Sequence, residues 1–138
     1  MKRWAVLVGV SEYRAPSLGL RFAHRDAKEL WELLQTNACG AFVPERARVL
    51  LNEQATTAAI VRALRSFLKD AEPDDLVVLH FSGHGAEDPA SKNKILYFLT
   101  YDTDPLDIAG TALPMREIMQ SLDDYVKAKR IVMLMDTC

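Results

Sequence analysis

The chain has 138 residues, the size of one domain where single cores run to roughly 100–200 residues. Apolar residues (AVILMFWYC) make up 49% and charged residues 26%, a globular mixture that excludes a disordered, collagenous or disulfide-stapled protein. Seventeen Lys and Arg against nineteen Asp and Glu leave a net charge of −2, so no basic excess exists to hold nucleic acid or an anionic membrane.

Two cysteines, Cys39 and Cys138, cannot build a disulfide framework and point to a reducing, cytoplasmic compartment. Met1-Lys2-Arg3 followed by apolar residues has the order of a signal peptide. The apolar run is at the short limit for one, and Ser11-Glu12-Tyr13-Arg14 supplies no cleavage site. No stretch approaches the ~20 apolar residues of a membrane span.

Trp4 to Val10 is a continuous apolar run and predicts a buried strand, closed by the turn-prone stretch Ser11 to Gly19. Phe22 to Gln35 carries Ala23, Ala27, Leu30, Trp31 and Leu34 on one helical face. Arg48 to Leu51 predicts a short second strand. Thr56 is an N-cap for a helix presenting Ala59, Ile60, Ala63, Leu64, Phe67 and Leu68. Pro73-Asp74-Asp75 breaks the chain before a third strand, Leu76 to Phe81. A polar loop follows Gly85 through Asn93, and Ile95 to Tyr101 is a further strand or hairpin arm. Pro114 fits the first turn of a third helix with Met115, Ile118, Met119 and Leu122. Ile131 to Met135 is the last strand, ending in Asp136-Thr137-Cys138. No repeat or linker divides residues 1–138, which read as one domain. Strands alternating with helices, and losing the polar alternation of half-exposed strands, predict a doubly wound α/β fold with a parallel sheet.

Function in such a sheet sits beyond the carboxyl ends of the strands. Two reactive side chains fall there: His84 three residues past Phe81, and Cys138 three past Met135. An imidazole beside a thiol is the requirement for thiol catalysis, because the thiolate is the nucleophile and a base must take its proton. Gly83 and Gly85 permit close approach of a reacting carbonyl. The backbone N–H groups of Gly85 and Cys138 are candidate oxyanion donors. Plainer readings stand beside these. Ser82-Gly83-His84-Gly85 also reads as a turn. His80 reads as a core strand residue with a satisfied hydrogen bond, and its pairing with His84 as zinc ligands is disfavoured by the glycine and the strand end. His24 and Cys39 read as packing or surface groups. No Gly-Lys-Ser/Thr phosphate loop is present.

His80-Phe81-Ser82-Gly83-His84-Gly85 after an apolar strand, with Met135-Asp136-Thr137-Cys138 ending another, closely resembles the caspase-like cysteine peptidases, nearest to the metacaspase and prokaryotic caspase branch. Leu7-Val8-Gly9-Val10 with Tyr13, Arg25-Asp26-Ala27, Ala55-Thr56-Thr57 and Asp74-Asp75-Leu76 agree in order, so the resemblance spans essentially the whole chain. It implies a caspase-like three-layer α/β/α fold and a cysteine endopeptidase with a dyad of His84 and Cys138. It also implies oxyanion donors at Gly85 and Cys138, and an S1 pocket for Arg or Lys formed by Asp26 and Asp136. Protein or peptide substrates follow, with no cofactor. Otherwise Asp26 reads as a helix-dipole acid and Asp136 as a strand-end hydrogen-bonding residue.

Two departures from the family pattern qualify these expectations. The stretch Gly110 to Pro114 lacks the paired acids associated with calcium in many metacaspases. Asp102, Asp104 and Asp107 are an oxygen-rich cluster that reads rather as a solvated loop. The family also continues past the nucleophile into a smaller subunit, so the chain is expected to be the large-subunit portion of a longer protein. Its missing small-subunit strands, or a regulatory domain or subunit, become the implied partner. On this reading the isolated portion is inactive and leaves an apolar sheet edge uncovered. A catalytically idle docking module remains the alternative, and a nucleotide-binding or receiver-like domain is disfavoured by the first strand's missing acid pair and phosphate loop.

Overall fold

The computed structural model describes residues 1–137. Apolar strands alternate with amphipathic helices in the order β1 (Arg3–Gly9), α1 (Ala23–Leu34), β2 (Ala47–Leu51), α2 (Thr57–Arg62), β3 (Leu76–Gly83), β4 (Gly85–Glu87), β5 (Leu96–Phe98), α3 (Ile108–Thr111), β6 (Leu113–Pro114), α4 (Met115–Tyr125) and β7 (Arg130–Thr137). The main sheet runs β2-β1-β3-β7, and every pairing in it is parallel. The chain moves from β1 outward to β2, then returns to the other side of β1. That reversal creates a topological switch point between β1 and β3, where ligands of open α/β sheets bind.

Helices cover both faces, giving three layers. On one face Val6, Val8, Val77, Leu79 and Phe81 pack with Ile60, Leu64 and Leu68 and with Ile118 and Leu122 of α4. On the other, Ala5, Leu7 and Val78 pack with Ala27, and Leu30, Trp31 and Leu34 of α1 close over them. Each large aliphatic side chain buried this way stabilises the fold by about 1.5–3 kcal/mol relative to exposure. Burial from both sides explains why these strands carry no polar alternation.

The expected doubly wound α/β architecture is present, with three local differences. The helix capped by Thr56, whose Oγ1 accepts from the Ala59 N–H at 3.1 Å, does not run uniformly. It widens into a π turn over Ala63–Phe67 and tightens over Leu68–Asp70, while Leu64 and Leu68 stay fully buried. The strand expected over Ile95 to Tyr101 is confined to Leu96–Phe98, in a separate antiparallel sheet of order β4-β5-β6. Beyond Phe98 the backbone donors turn to other acceptors: Leu99 N–H to His84 O at 2.9 Å and Tyr101 N–H to Ala55 O at 2.9 Å, and Thr100 N–H to Thr103 Oγ1 at 2.8 Å. The short α3 carried no periodic signal, and Asp107 caps it by accepting from Gly110 N–H. Among the described residues no helix is long and apolar enough to cross a membrane.

Candidate active site

The carboxyl rim of β3 and β7 gathers most of the residues singled out in the sequence. The register pairs Ser82 with Asp136 and Gly83 with Thr137. His84 is the single residue between β3, which ends at Gly83, and β4, which begins at Gly85. Both its backbone groups are engaged: its N–H donates to the Tyr13 hydroxyl at 3.0 Å, and its carbonyl accepts from Leu99 N–H. The half-buried ring is held too, with Nε2 2.6 Å from the Leu18 carbonyl and the Tyr13 ring 5.5 Å away at a 42° tilt. A carbonyl only accepts, so Nε2 carries the proton and Nδ1 is left as the basic nitrogen.

The two glycines flanking His84 have steric reasons. A Cβ on Gly83 would lie 3.0 Å from the Tyr13 hydroxyl and 3.2 Å from the Phe98 ring, and one on Gly85 would lie 3.2 Å from Thr137 Cβ and Oγ1. The first contact lets the Tyr13 loop close over the histidine. The second sets the start of β4 against the residue preceding Cys138. Cys138, expected as the nucleophile and as an oxyanion donor, lies outside the described residues.

Asp26 and Asp136, widely separated in sequence, line one cavity of about 150 Å³, together with Ser82, Gly83, Arg21 and Phe22. What brings them together is Gly9 at the end of β1. A Cβ there would stand 2.6 Å from the Ala23 carbonyl oxygen and 2.8 Å from Ala27 Cβ, so only glycine lets the first turn of α1 rest directly on the sheet. That contact seats Asp26 over the row Gly9–Ser82–Asp136, whose members are register partners. Both carboxylates are exposed, and no side-chain hydrogen bond or ion pair engages either among the described residues. Arg21 is the cationic residue in the lining. A pocket with two unengaged carboxylates favours a guanidinium or ammonium and repels an acid.

His80 corrects an expectation. It is a core strand residue, 8% exposed, but neither ring nitrogen has a hydrogen-bond partner among the described residues. Its neighbours in register are Leu7 and Leu134, which offer no polar side chain on either flank. Burial holds its pKa below the ordinary imidazole value, and Asp26 and Asp136 oppose that shift.

The remaining residues fall outside the rim. His24 is a packing group, its Nδ1 2.9 Å from Ser11 Oγ, and Cys39 is a half-buried free thiol. Asp102, Asp104 and Asp107 are occupied separately, accepting from Thr57 N–H, Leu106 N–H and Gly110 N–H. Among the described residues no group of three or more His, Cys, Asp or Glu could hold a metal. A larger cavity, about 320 Å³, lies between β2 and α2 beside Arg48, Arg62 and Phe67, with neither carboxylate nor thiol in its lining.

Two contributors carry no assignable role in the sequence alone. Tyr13 belongs there only to a pattern. Leu18 acts through a backbone carbonyl, for which a sequence carries no signal.

Residues 2–138 match the caspase domain family model (Peptidase_C14). Metacaspase-1 of Candida glabrata is 33% identical over 92 residues, covering 62% of this chain and 23% of that protein. Metacaspase-1A of Aspergillus niger is 33% identical over 94 residues, covering 64% and 22%. The chain thus spans under a quarter of the length of these curated relatives. The crystal structure of protein GSU0716 from Geobacter sulfurreducens superposes with a TM-score of 0.78 at 19% identity, over 100% of this chain and 51% of that one, and shares the fold. With nearly every residue matched by the family model, the chain belongs to the caspase domain family of peptidases.

Proposed function

We propose that this chain carries the catalytic portion of a cysteine endopeptidase that cleaves after Arg or Lys in protein or peptide substrates. The single observation that carries the specificity is the shared cavity of Asp26 and Asp136 next to Ser82 and Gly83. A basic P1 side chain entering that cavity would bring its scissile carbonyl to the neighbourhood of His84.

In the proposed reaction His84 Nδ1 takes the Cys138 thiol proton, while the Leu18 carbonyl holds the opposite edge of the ring through Nε2–H. The thiolate attacks the carbonyl carbon, and the Gly85 and Cys138 N–H groups receive the developing oxyanion. Collapse expels the amine, which takes the proton from the imidazolium, and water then hydrolyses the thioester with the same histidine as base.

We further propose that additional strands, from a following segment or a separate subunit, complete the cleft along β7. Among the described residues this strand pairs only with β3, and its Val132 and Leu134 are 46% and 44% exposed. A long, apolar, unpaired edge is a template for another strand. A reducing cytoplasmic compartment suits a thiol nucleophile.

The test is incubation of the full-length protein with fluorogenic peptides ending in Arg, Lys or Asp. Arg and Lys peptides should be cleaved and the Asp peptide spared. Cys138→Ala and His84→Ala should each lower kcat/KM by about 10³-fold or more. Preference for Asp overturns the specificity. If no peptide is cleaved and a thiol-directed probe labels Cys138 equally with and without His84, the idle docking module is the better description.

A further inference from the structure

Residues of β3 that face α1 form successive rows across the sheet. Gly9, Ser82 and Asp136 make one row, and Leu7, His80 and Leu134 make the next row back. Two residues along a strand separate these rows by about 6.6 Å. The imidazole therefore lies behind the floor of the acid-lined cavity, buried and with both ring nitrogens unpartnered among the described residues. An unpaired buried polar group destabilises a fold, and an aliphatic or phenyl side chain would suit a site flanked by leucines better.

Resting on the proposed preference for Arg or Lys, we propose that His80 is a specificity-determining residue that acts through Asp26 and Asp136. Kept neutral behind the pair, it leaves both negative charges to a cationic side chain; protonated, it becomes an internal counter-ion that competes with that side chain.

The charges acting on His80 are Asp26 from α1 and Asp136 from β7. On its flanks β1 presents Leu7 and β7 presents Leu134. Burial favours the neutral ring and the two carboxylates favour the protonated one, so the balance depends on whether the carboxylates are already satisfied. A guanidinium in the cavity satisfies them and withdraws their pull. Coupling of this kind is reciprocal: whatever factor His80 protonation takes from cation affinity, cation binding takes from proton affinity. Charges held several ångströms apart near a protein surface couple strongly enough for about a tenfold effect. His80 touches no reacting atom in this scheme and acts only by tuning the pair.

The experiment follows the His80 ring signals of the isotope-labelled full-length protein by NMR across the acid range. Three conditions are compared: no ligand, saturating N-acetyl-argininamide, and N-acetyl-norleucinamide as the uncharged control. The arginine amide should lower the His80 protonation midpoint by about one pH unit, equivalent to the tenfold coupling, and the norleucine amide should leave it in place. Affinity for N-acetyl-argininamide should fall about tenfold as His80 protonates, and His80→Phe should abolish that fall. His80→Gln serves the same purpose should the phenyl ring prevent folding. If the arginine amide binds while the His80 midpoint stays put, or if the substituted protein keeps the same fall, the inference is overturned and the proposed function stands. If the arginine amide does not bind the cavity, the acid-pair reading fails and the inference goes with it.

Discussion

Aspartates at the two ends of the same sheet behave in opposite ways. Asp75, just before β3 at the amino end, is 3% exposed. It accepts from Lys2 N–H at 2.7 Å, Trp4 Nε1–H at 3.0 Å and Glu72 N–H at 2.9 Å. Burial alone would raise its pKa, but these donors and the N-terminal charge outweigh it and hold the carboxyl at about 2. Asp26 and Asp136, at the carboxyl end, are exposed and unengaged by any described side-chain partner. A carboxylate whose lone pairs are filled by donors of its own chain ties segments of the fold together. One whose lone pairs are left open is available to something outside the chain. Residue type does not separate the two roles; the donors around it do.

The largest effect expected from this contrast is on stability at the amino end. Asp75→Ala strands three donors and should cost about 3 kcal/mol, lowering Tm by roughly 10 °C in a chain of this size. Its pH dependence has a definite sign. The folded pKa of about 2 lies below the ordinary 3.8, so the contribution is complete above pH 4 and is lost as pH falls through 2. Acid titration of thermal stability should show that loss in the parent and not in Asp75→Ala.

Asp136→Ala should do the reverse. We expect about a 30-fold drop in kcat/KM for Arg peptides, close to 2 kcal/mol of lost transition-state binding, with Tm unchanged within the scatter of surface substitutions. A Tm drop as large as that of Asp75→Ala would erase the distinction between the two ends. The smallest effect joins the regions. Gly9→Ala forces its methyl into the Ala23 carbonyl and should cost about 1.5 kcal/mol by overpacking. Because α1 must lift, discrimination between Arg and uncharged P1 peptides should fall too. Stability loss with discrimination intact would show that Asp26 does not depend on that contact.

Much of this arrangement is legible in the amino-acid sequence. The two central strands, β1 and β3, announced themselves because helices on both faces leave almost no solvent-facing residue to break their apolar runs. Asp26, Asp136 and His84 were marked by the motifs around them. What stayed hidden depends on contacts that sequence does not encode locally. The β4-β5-β6 sheet consists of strands of two or three residues, too short for periodicity. Leu18 contributes a backbone oxygen, identical in every residue. His80 looked like a satisfied core histidine because burial is inferable from its apolar neighbours, whereas the lack of a partner emerges only once Leu7 and Leu134 are known to flank it. Gly9 gave no hint that a helix would rest on it.

His84 alone joins β3 of the parallel sheet to β4 of the antiparallel one, with its peptide N–H and carbonyl fastened to Tyr13 and Leu99. A hinge one residue long has no slack to absorb movement. A displacement of the β4–β5 ribbon would therefore pull directly on the His84 backbone at the sheet rim. The far end of that ribbon, where Glu87 pairs with Leu96, thus reaches the end of β3 through a single residue.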